Sequence, residues 1–254
     1  MEGFRFYCRT AAVVLMLAII SLAQAFYNVA ARTPMTPWVR AAQVEVPVSE
    51  AGLVSDYTLP PISDGMVPVL LSVPTKQPVV FLGIDDGQYQ DRSVIDLLRR
   101  SGVRASLFLN DHYTAENPPF FKQLERTGSI IENHTINHLD LTALNYNQQV
   151  DEICGNADRL AAEFGRRPTM FRPPYGSYND DTRRAAAACG MRALIQWHAK
   201  VNNGSVQYQD GDRLVAGDIV LMHFRPEFAQ DLKAYQAAVK ASGLQTVLLE
   251  DWLK

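Results

Sequence analysis

Cysteine is scarce in this chain, with only Cys8, Cys154 and Cys189 among 254 residues. No Cys-x-x-Cys occurs, which excludes a thiolate zinc site. No Gly-x-Gly-x-x-Gly follows any apolar run, which argues against a dinucleotide-binding sheet. A basic surplus is missing too. The 24 Lys and Arg stand against 27 Asp and Glu, for a net charge of −3, so the footprint of a nucleic-acid binder is lacking. Internal repeats and low-complexity tracts are absent. A neutral partner fits this charge balance best, although net charge speaks to partners only weakly. The sequence sets no oligomeric state.

Long apolar runs are also short of what a membrane span needs. Ala11–Ala23 is uncharged over 13 residues, against about 20 for a spanning helix. Arg5 and Arg9 precede it, and Ala23-Gln24-Ala25 offers small residues at signal-peptidase spacing. Residues 1–25 therefore read as a targeting segment. Either it is cleaved near Ala25, or it stays as an anchor with residues 10–31 tethering the domain to a membrane. Both readings place the domain outside the cytoplasm. Export permits a disulfide between Cys154 and Cys189. Burial of both as small hydrophobes is the alternative.

Eight of the fourteen prolines fall between Pro34 and Pro78, which blocks long regular elements there. Residues 26–77 read as a tether and an extension packing irregularly on the domain, with Val67–Val73 an extended edge. From Pro78 the texture changes. Strand candidates are Val79–Ile84, Ala105–Leu109, Ser129–Glu132, Thr169–Arg172, Ala193–Trp197, Asp218–Met222 and Thr246–Leu249. Helical periodicity marks Asp91–Ser101, Pro118–Thr127, Tyr146–Phe164, Asp180–Cys189 and Pro226–Ala241. Lys200–Gly217 reads as a loop that shapes the pocket. Apolar strands alternating with helices indicate a parallel sheet covered on both faces. Seven strand–helix units suggest a compact β/α barrel, with a doubly wound sheet as competitor.

In such a barrel, function gathers where strands end. Asp85 and Asp86 end the first strand, His134 and His138 follow the third, Arg172 ends the fourth and His223 ends the sixth. His134 and His138 are two of only five histidines. If their segment is a helical turn, i,i+4 spacing points both imidazoles at one place, and a carboxylate completes a three-ligand metal site. Thr135-Ile136 replaces the Glu-x of the zinc peptidases, so the base must come from elsewhere, and Asp85 is available. Arg172 can brace a carboxylate. Pro173 and Pro174 still the following backbone, so the Tyr175 N–H can serve an oxyanion. His223 beside a metal and a base is a natural general acid. His112 reads as structural, and His198 has a weak case.

Asp-Asp-Gly, His-Thr-x-x-His, Arg-x-Pro-Tyr-Gly and a strand-final His, in that order, resemble the polysaccharide deacetylases of carbohydrate esterase family 4, the NodB-homology group. The resemblance covers about residues 78–254. It implies a distorted (β/α)7 barrel that removes N- or O-acetyl groups from glycans such as peptidoglycan, chitin or xylan with one divalent metal ion. Zinc is the first expectation, with cobalt, nickel or manganese as alternatives. By motif, Asp86, His134 and His138 look like the metal ligands and Asp85 like the base. Arg172 would brace Asp85, Tyr175 would line the oxyanion site, and His223 would protonate the leaving group. A metal-holding glycan binder with weak turnover is one alternative, and an amidase on a small non-glycan molecule is another.

The chain departs from that family's pattern twice. Thr-Phe-Asp-Asp-Gly becomes Gly83-Ile84-Asp85-Asp86-Gly87, which keeps both carboxylates. The Asp that usually tethers the catalytic histidine, within Asp-x-x-Asp-Trp, is missing from Trp197–Gly204, and Lys200 stands about in its place. Loss of a carboxylate partner lowers a histidine's pKa. Either Asp210 or Asp212 substitutes, or the catalysis is weakened.

Overall fold

A computed structural model of the chain describes residues 52–253. The targeting segment, Cys8 and the first part of the Pro-rich extension lie outside the described residues. No helix among the described residues is long and apolar enough to cross a membrane.

All seven expected strands form. β2 (Val79–Asp86) is buried at every position, as a central parallel strand covered on both faces must be. Beside it lie β3 (Ser106–Leu109), β4 (Ile130–Asn133), β5 (Met170–Phe171), β6 (Ala193–Ile195), β9 (Ile219–His223) and β10 (Gln245–Val247). Three strands join them. β1 (Val69–Leu70) comes from the Pro-rich extension, and β7 (Ala199–Asn202) and β8 (Ser205–Tyr208) form an antiparallel hairpin. The sheet runs β1-β6-β5-β4-β3-β2-β9-β7-β8, with β10 paired to the start of β2. Every pairing but β7–β8 is parallel.

Two expectations about segments change here. Lys200–Gly217 is not simply a loop, because β7 and β8 occupy its first part and β7 pairs with β9. The last strand ends at Val247, and Leu249 begins a short helix, α7 (Leu249–Trp252). The helices between strands are α1 (Arg92–Ser101), α2 (Asp111–Thr114), α3 (Pro118–Glu125), α4 (Tyr146–Phe164), α5 (Asp180–Ala188) and α6 (Phe228–Ala241).

Their boundaries have local causes. Asp91 caps α1 by accepting from the Ser93 N–H, and Gly102 ends it in a left-handed turn. α1 buries Val94, Ile95 and Leu98 on one face, each worth roughly 1.5–3 kcal/mol. Asn145 and Gln148 form a capping box on α4, and Gly165 closes it. Cys154 and Cys189 pair as a disulfide between α4 and the end of α5. Closing a loop of sequence separation 35 contributes about 4 kcal/mol in a chain-entropy account.

The extension closes the barrel's seam. β6 and β7 follow each other in sequence but do not pair, which leaves a gap. β1 lies along the free edge of β6. Just past β1, Ser72 bridges Asp218 and the Val73 N–H donates to the Gly217 carbonyl at 2.8 Å. A Cβ at Gly217 would lie 1.9 Å from the Val73 oxygen, and its φ is +87°, so only glycine permits that approach. Further back, Leu53, Tyr57 and Leu59 pack on the core, and Ser55 Oγ donates to the Trp252 carbonyl.

Alternation along the strands sorts two cores. Val80, Leu82 and Ile84 face outward with Val94, Leu98, Phe121 and Tyr235 of the helices. Val79, Phe81, Phe108, Met170, Ile195, Ile219 and Val247 fill the lumen. With a period of two, the lumen face of β2 continues to Gly83 and Asp85. That of β5 continues to Arg172, and that of β9 to Leu221 and His223. The apolar plug thus ends where the polar residues begin, at the carboxyl ends of the strands.

Candidate active site

Asp85 and Arg172 meet at the top of the lumen. The Arg172 Nη1 donates to Asp85 Oδ1 at 2.6 Å. Its Nε and Nη2 donate to the Ile195 and Gln196 carbonyls, and its guanidinium lies 4.1 Å over the Phe108 ring. The side chain is fully buried. Such a charge is tolerable only because each of its nitrogens has an acceptor and a carboxylate faces it. Gly83 provides the room. A Cβ there would sit 2.4 Å from Arg172 Nη1. The first departure from the motif therefore has a structural consequence, in that Gly83 lets the guanidinium lie flat across β2.

Asp86 follows Asp85 on the alternate face of β2, with a φ of +78°. The Asp86 Oδ1 lies 3.4 Å from His134 Nε2 and 3.2 Å from His138 Nε2. The three donor atoms all fall within 4.8 Å of one another. Asp85 Oδ2 is 3.9 Å from His134 Nε2, so the base candidate borders the cluster without joining it.

The histidine pair does not sit on a helical turn. His134–His138 is an irregular loop after β4, with Thr135 at φ +69° and His138 at φ +56°. These two left-handed residues bring the rings to 4.9 Å between centroids. Of the six non-glycine residues with positive φ among the described residues, four are Asp86, Thr135, His138 and Tyr175. Backbone strain of this kind persists only where the surroundings impose it. Here Asn133 Oδ1 accepts from the Thr135 N–H, and Thr135 Oγ1 accepts from the His138 N–H. Glu152 of α4 accepts from the N–H groups of Ile136 and Asn137 and from the Asn137 side chain.

The donor chemistry fits a divalent cation. His134 Nδ1 is 2.7 Å from the Arg172 carbonyl, which fixes Nδ1 as the N–H and leaves Nε2 for a metal. Asp86 Oδ1 is buried without a hydrogen-bond partner, a costly arrangement unless a charge completes it. Burial opposes the carboxylate form of Asp86, yet the adjacent imidazoles of His134 and His138 outweigh it and hold its pKa well below the carboxylate range. Burial likewise opposes a protonated His134, but Asp86 and Asp85 raise its pKa. The same negative field would favour a metal ion over that proton.

Across the mouth, His223 pairs in register with Asp85 and is half-buried. No side chain among the described residues hydrogen-bonds to its ring. Burial lowers its pKa, Asp85 and Asp86 pull it up, and Arg225 and His134 push it down, for a net lowering. Neither expected substitute for the missing Asp reaches it. Asp210 lies 3.4 Å from His198 Nε2, and His198 Nδ1 is held by Asp218 at 2.9 Å. His198 thus belongs to the barrel seam, while His112 is an exposed residue beside Tyr113.

Tyr175 sits in the 3₁₀ turn Pro174–Gly176 with φ +60°. Its ring is 68% exposed and packs edge-on against His138 at 4.7 Å. Gln196 Nε2 donates to the Gly176 carbonyl and anchors the turn. Glu152 and Gln196 carried no mark in the sequence, and Gly83 stood out only as the unusual residue of its motif.

A family model described as polysaccharide deacetylase matches residues 72–194. An uncharacterised protein of Streptomyces coelicolor is 38% identical over 194 residues, covering 73% of this chain and 77% of its own length. A peptidoglycan-N-acetylglucosamine deacetylase of Bacillus cereus is 28% identical, covering 61% of this chain and 76% of its own. Among solved structures, a family 4 carbohydrate esterase from Streptomyces lividans in complex with acetate superposes with a TM-score of 0.60 at 26% identity, over 68% of this chain and 94% of that one.

Proposed function

The chain belongs to the polysaccharide deacetylase family, and from that premise we propose that it is an exported, metal-dependent hydrolase of acetyl groups on a glycan. Its proposed substrate class is an N-acetylglucosamine polymer of the peptidoglycan or chitin kind. The observation that carries the reading is the buried Asp86 Oδ1, which forms no hydrogen bond of good geometry yet lies 3.4 and 3.2 Å from the Nε2 atoms of His134 and His138, beside a carboxylate that Arg172 pins in place. The Cys154–Cys189 disulfide supports export, since such bonds persist in oxidising compartments.

Asp86, His134 and His138 would hold the cation, zinc first among the candidates. When bound, it supplies Lewis acidity that polarises the acetyl carbonyl and acidifies water. Asp85 then takes a proton from the attacking water. Arg172 fixes the angle of that carboxylate through Oδ1 and leaves Oδ2 toward the cluster. The Tyr175 N–H donates to the oxyanion as it develops. His223 stands across from Asp85 in the pairing of β9 with β2 and hands its proton to the leaving nitrogen or oxygen.

The test is acetate release from a panel of acetylated glycans by metal-reconstituted protein. Release should stop on chelation and fall steeply in Asp85→Asn. Release that survives either treatment overturns the reading. A second reading, a glycan binder with little turnover, is favoured by the untethered His223 ring. Glycan binding and tight metal binding without acetate would select it.

A further inference from the structure

Beside His223 the mouth opens into a pocket of about 250 Å³ whose walls include Tyr175, Trp197, Lys200, Asn202, His223 and Arg225. Two of these walls are cations. Lys200 pairs with Leu221 in the β7–β9 register, so by alternation it shares a face with Asn202, Leu221 and His223. Arg225 is half-buried, and its Nη1 donates to Asn202 Oδ1 at 3.1 Å. That contact fixes the guanidinium with a neutral acceptor and uses one of its five donors.

Among the described residues, no carboxylate lies within ion-pair distance of Lys200 or Arg225. Several arginines elsewhere among the described residues, Arg99, Arg159, Arg166, Arg167 and Arg184 among them, each meet an Asp or Glu, whereas Arg225, which lines a pocket, does not. The nearby carboxylates of the mouth are already engaged, Asp85 by Arg172 and Asp86 by two imidazoles. A partly desolvated guanidinium next to a lysine, with no internal anion, is completed by an anion from outside. The overall charge of −3 favours a neutral partner in general, but the pocket's local field is of the opposite sign.

We propose that this pocket receives a carboxylate, so that Lys200 and Arg225 select acetylated glycans bearing an acid group on, or next to, the sugar being deacetylated. The inference rests on the hydrolase reading for its chemistry but not for its binding geometry. Tyr175 lies between the two features, since its ring packs on His138 and also lines this pocket. The pocket therefore adjoins the proposed acetyl site across the Tyr175 ring. A lactyl ether on a muramic residue and a uronic acid both carry such an acid group.

The experiment uses full-length, metal-reconstituted protein and matched substrate pairs. One pair is peptide-free peptidoglycan strands with free or amidated lactyl carboxylates. The other is acetylated xylan with or without glucuronic acid branches. The free acid of at least one pair should show a kcat/KM about tenfold higher, carried mainly by KM, as one well-placed charge-assisted contact provides. Raising the salt should narrow that ratio. The Lys200→Met/Arg225→Met double variant should bring it near one. Equal kcat/KM for acid and amide in both pairs, or a ratio that the double variant leaves intact, overturns the inference. If no acetate is released from anything, the hydrolase reading fails, and the change in tryptophan fluorescence on adding the same strands, Trp197 lining the pocket, still decides. Tighter binding of the free acid, lost in the double variant, supports the pocket, and equal binding refutes it.

Discussion

The two sides of the barrel mouth are built to different standards. On the side of β2, β4 and β5, each polar group of interest is held by a second one. Arg172 holds Asp85, the Arg172 carbonyl holds His134, and Thr135 and Glu152 hold the His138 loop. On the side of β7 and β9, His223 has no hydrogen-bonded orienting partner among the described residues, and its neighbours Lys200 and Arg225 are cations. Cation binding and water activation need fixed ligands and a fixed base, because misplacement by 1 Å already costs rate. Proton donation to a leaving group tolerates a looser ring. On the proposed reaction, the residues of its first half are held rigid, while the acid of the second half stands beside a pocket with two cations.

The largest expected effect lies on the rigid side. Asp85→Asn removes the proposed base but keeps its shape, so kcat should fall by about 10²–10⁴-fold with bound metal unchanged. It also leaves Arg172 buried against a neutral amide, which should lower the melting temperature. Acetate release, metal content and thermal melts on one preparation check all three. Full activity would show that the rigidity around Asp85 serves the fold alone.

Next is Glu152→Ala, which touches neither ligand nor substrate. Glu152 gathers three N–H donors from Ile136 and Asn137 between the two histidines. Without it, the left-handed turn that points His138 inward loses its clamp. Metal affinity should fall roughly 10–100-fold, the usual cost of losing an outer-sphere support, as read by competition with a chelator. An unchanged affinity would break the contrast between the two sides.

Gly83→Ala probes the same side from beneath. The added Cβ would lie 2.4 Å from Arg172 Nη1, so the guanidinium must shift off Asp85. A cost of about 1–3 kcal/mol in stability and a fall in kcat at constant metal content are expected from denaturant melts and kinetics. A silent substitution would show that Arg172 finds another pose.

How much of this was legible follows from which interactions are local. β2, β3, β5, β6 and β9 are mostly apolar runs, while β4 and β10 are half polar, and alternation along β2, β5 and β9 already places Asp85, Arg172 and His223 on one face. β1 has two residues among prolines, and the β7–β8 hairpin is polar on alternate positions. β1 exists because of a partner far away in sequence, β6, which no local pattern reveals, whereas the β7–β8 hairpin turns on Asn203-Gly204 at φ +51° and +70°, a local signal that a search for apolar runs does not pick up. The site divides in the same way. Its donor atoms sit in recognisable motifs, whereas the left-handed turn between His134 and His138 depends on Glu152 in a later helix. The fit of Gly83 under Arg172 spans 89 residues, and a residue's smallness says nothing about what it makes room for. The disulfide was one of two open readings, because cysteine spacing carries no distance.

The smallest expected effect lies on the loose side, and it sharpens the comparison most. His223 must be protonated to act as an acid, and burial together with Arg225 lowers its pKa. The protonated fraction is therefore lost, as pH rises, earlier than for an ordinary histidine, and the alkaline limb of kcat should lie below the usual histidine range. Lys200→Asp replaces a cation with a carboxylate on the same strand face. An opposite charge nearby raises a histidine's pKa, by about one unit at close range, so the alkaline limb should move up by about that much. Rates below the limb should change little, because His223 is protonated there in both proteins. The same substitution should weaken any preference for acidic substrates, since it removes one of the pocket's two cations. A pH–rate profile on a neutral and an acidic glycan reads both effects from one variant. If the limb moves and the preference does not, Lys200 governs only the acid. If the preference falls and the limb stays, its side chain faces the substrate and not His223.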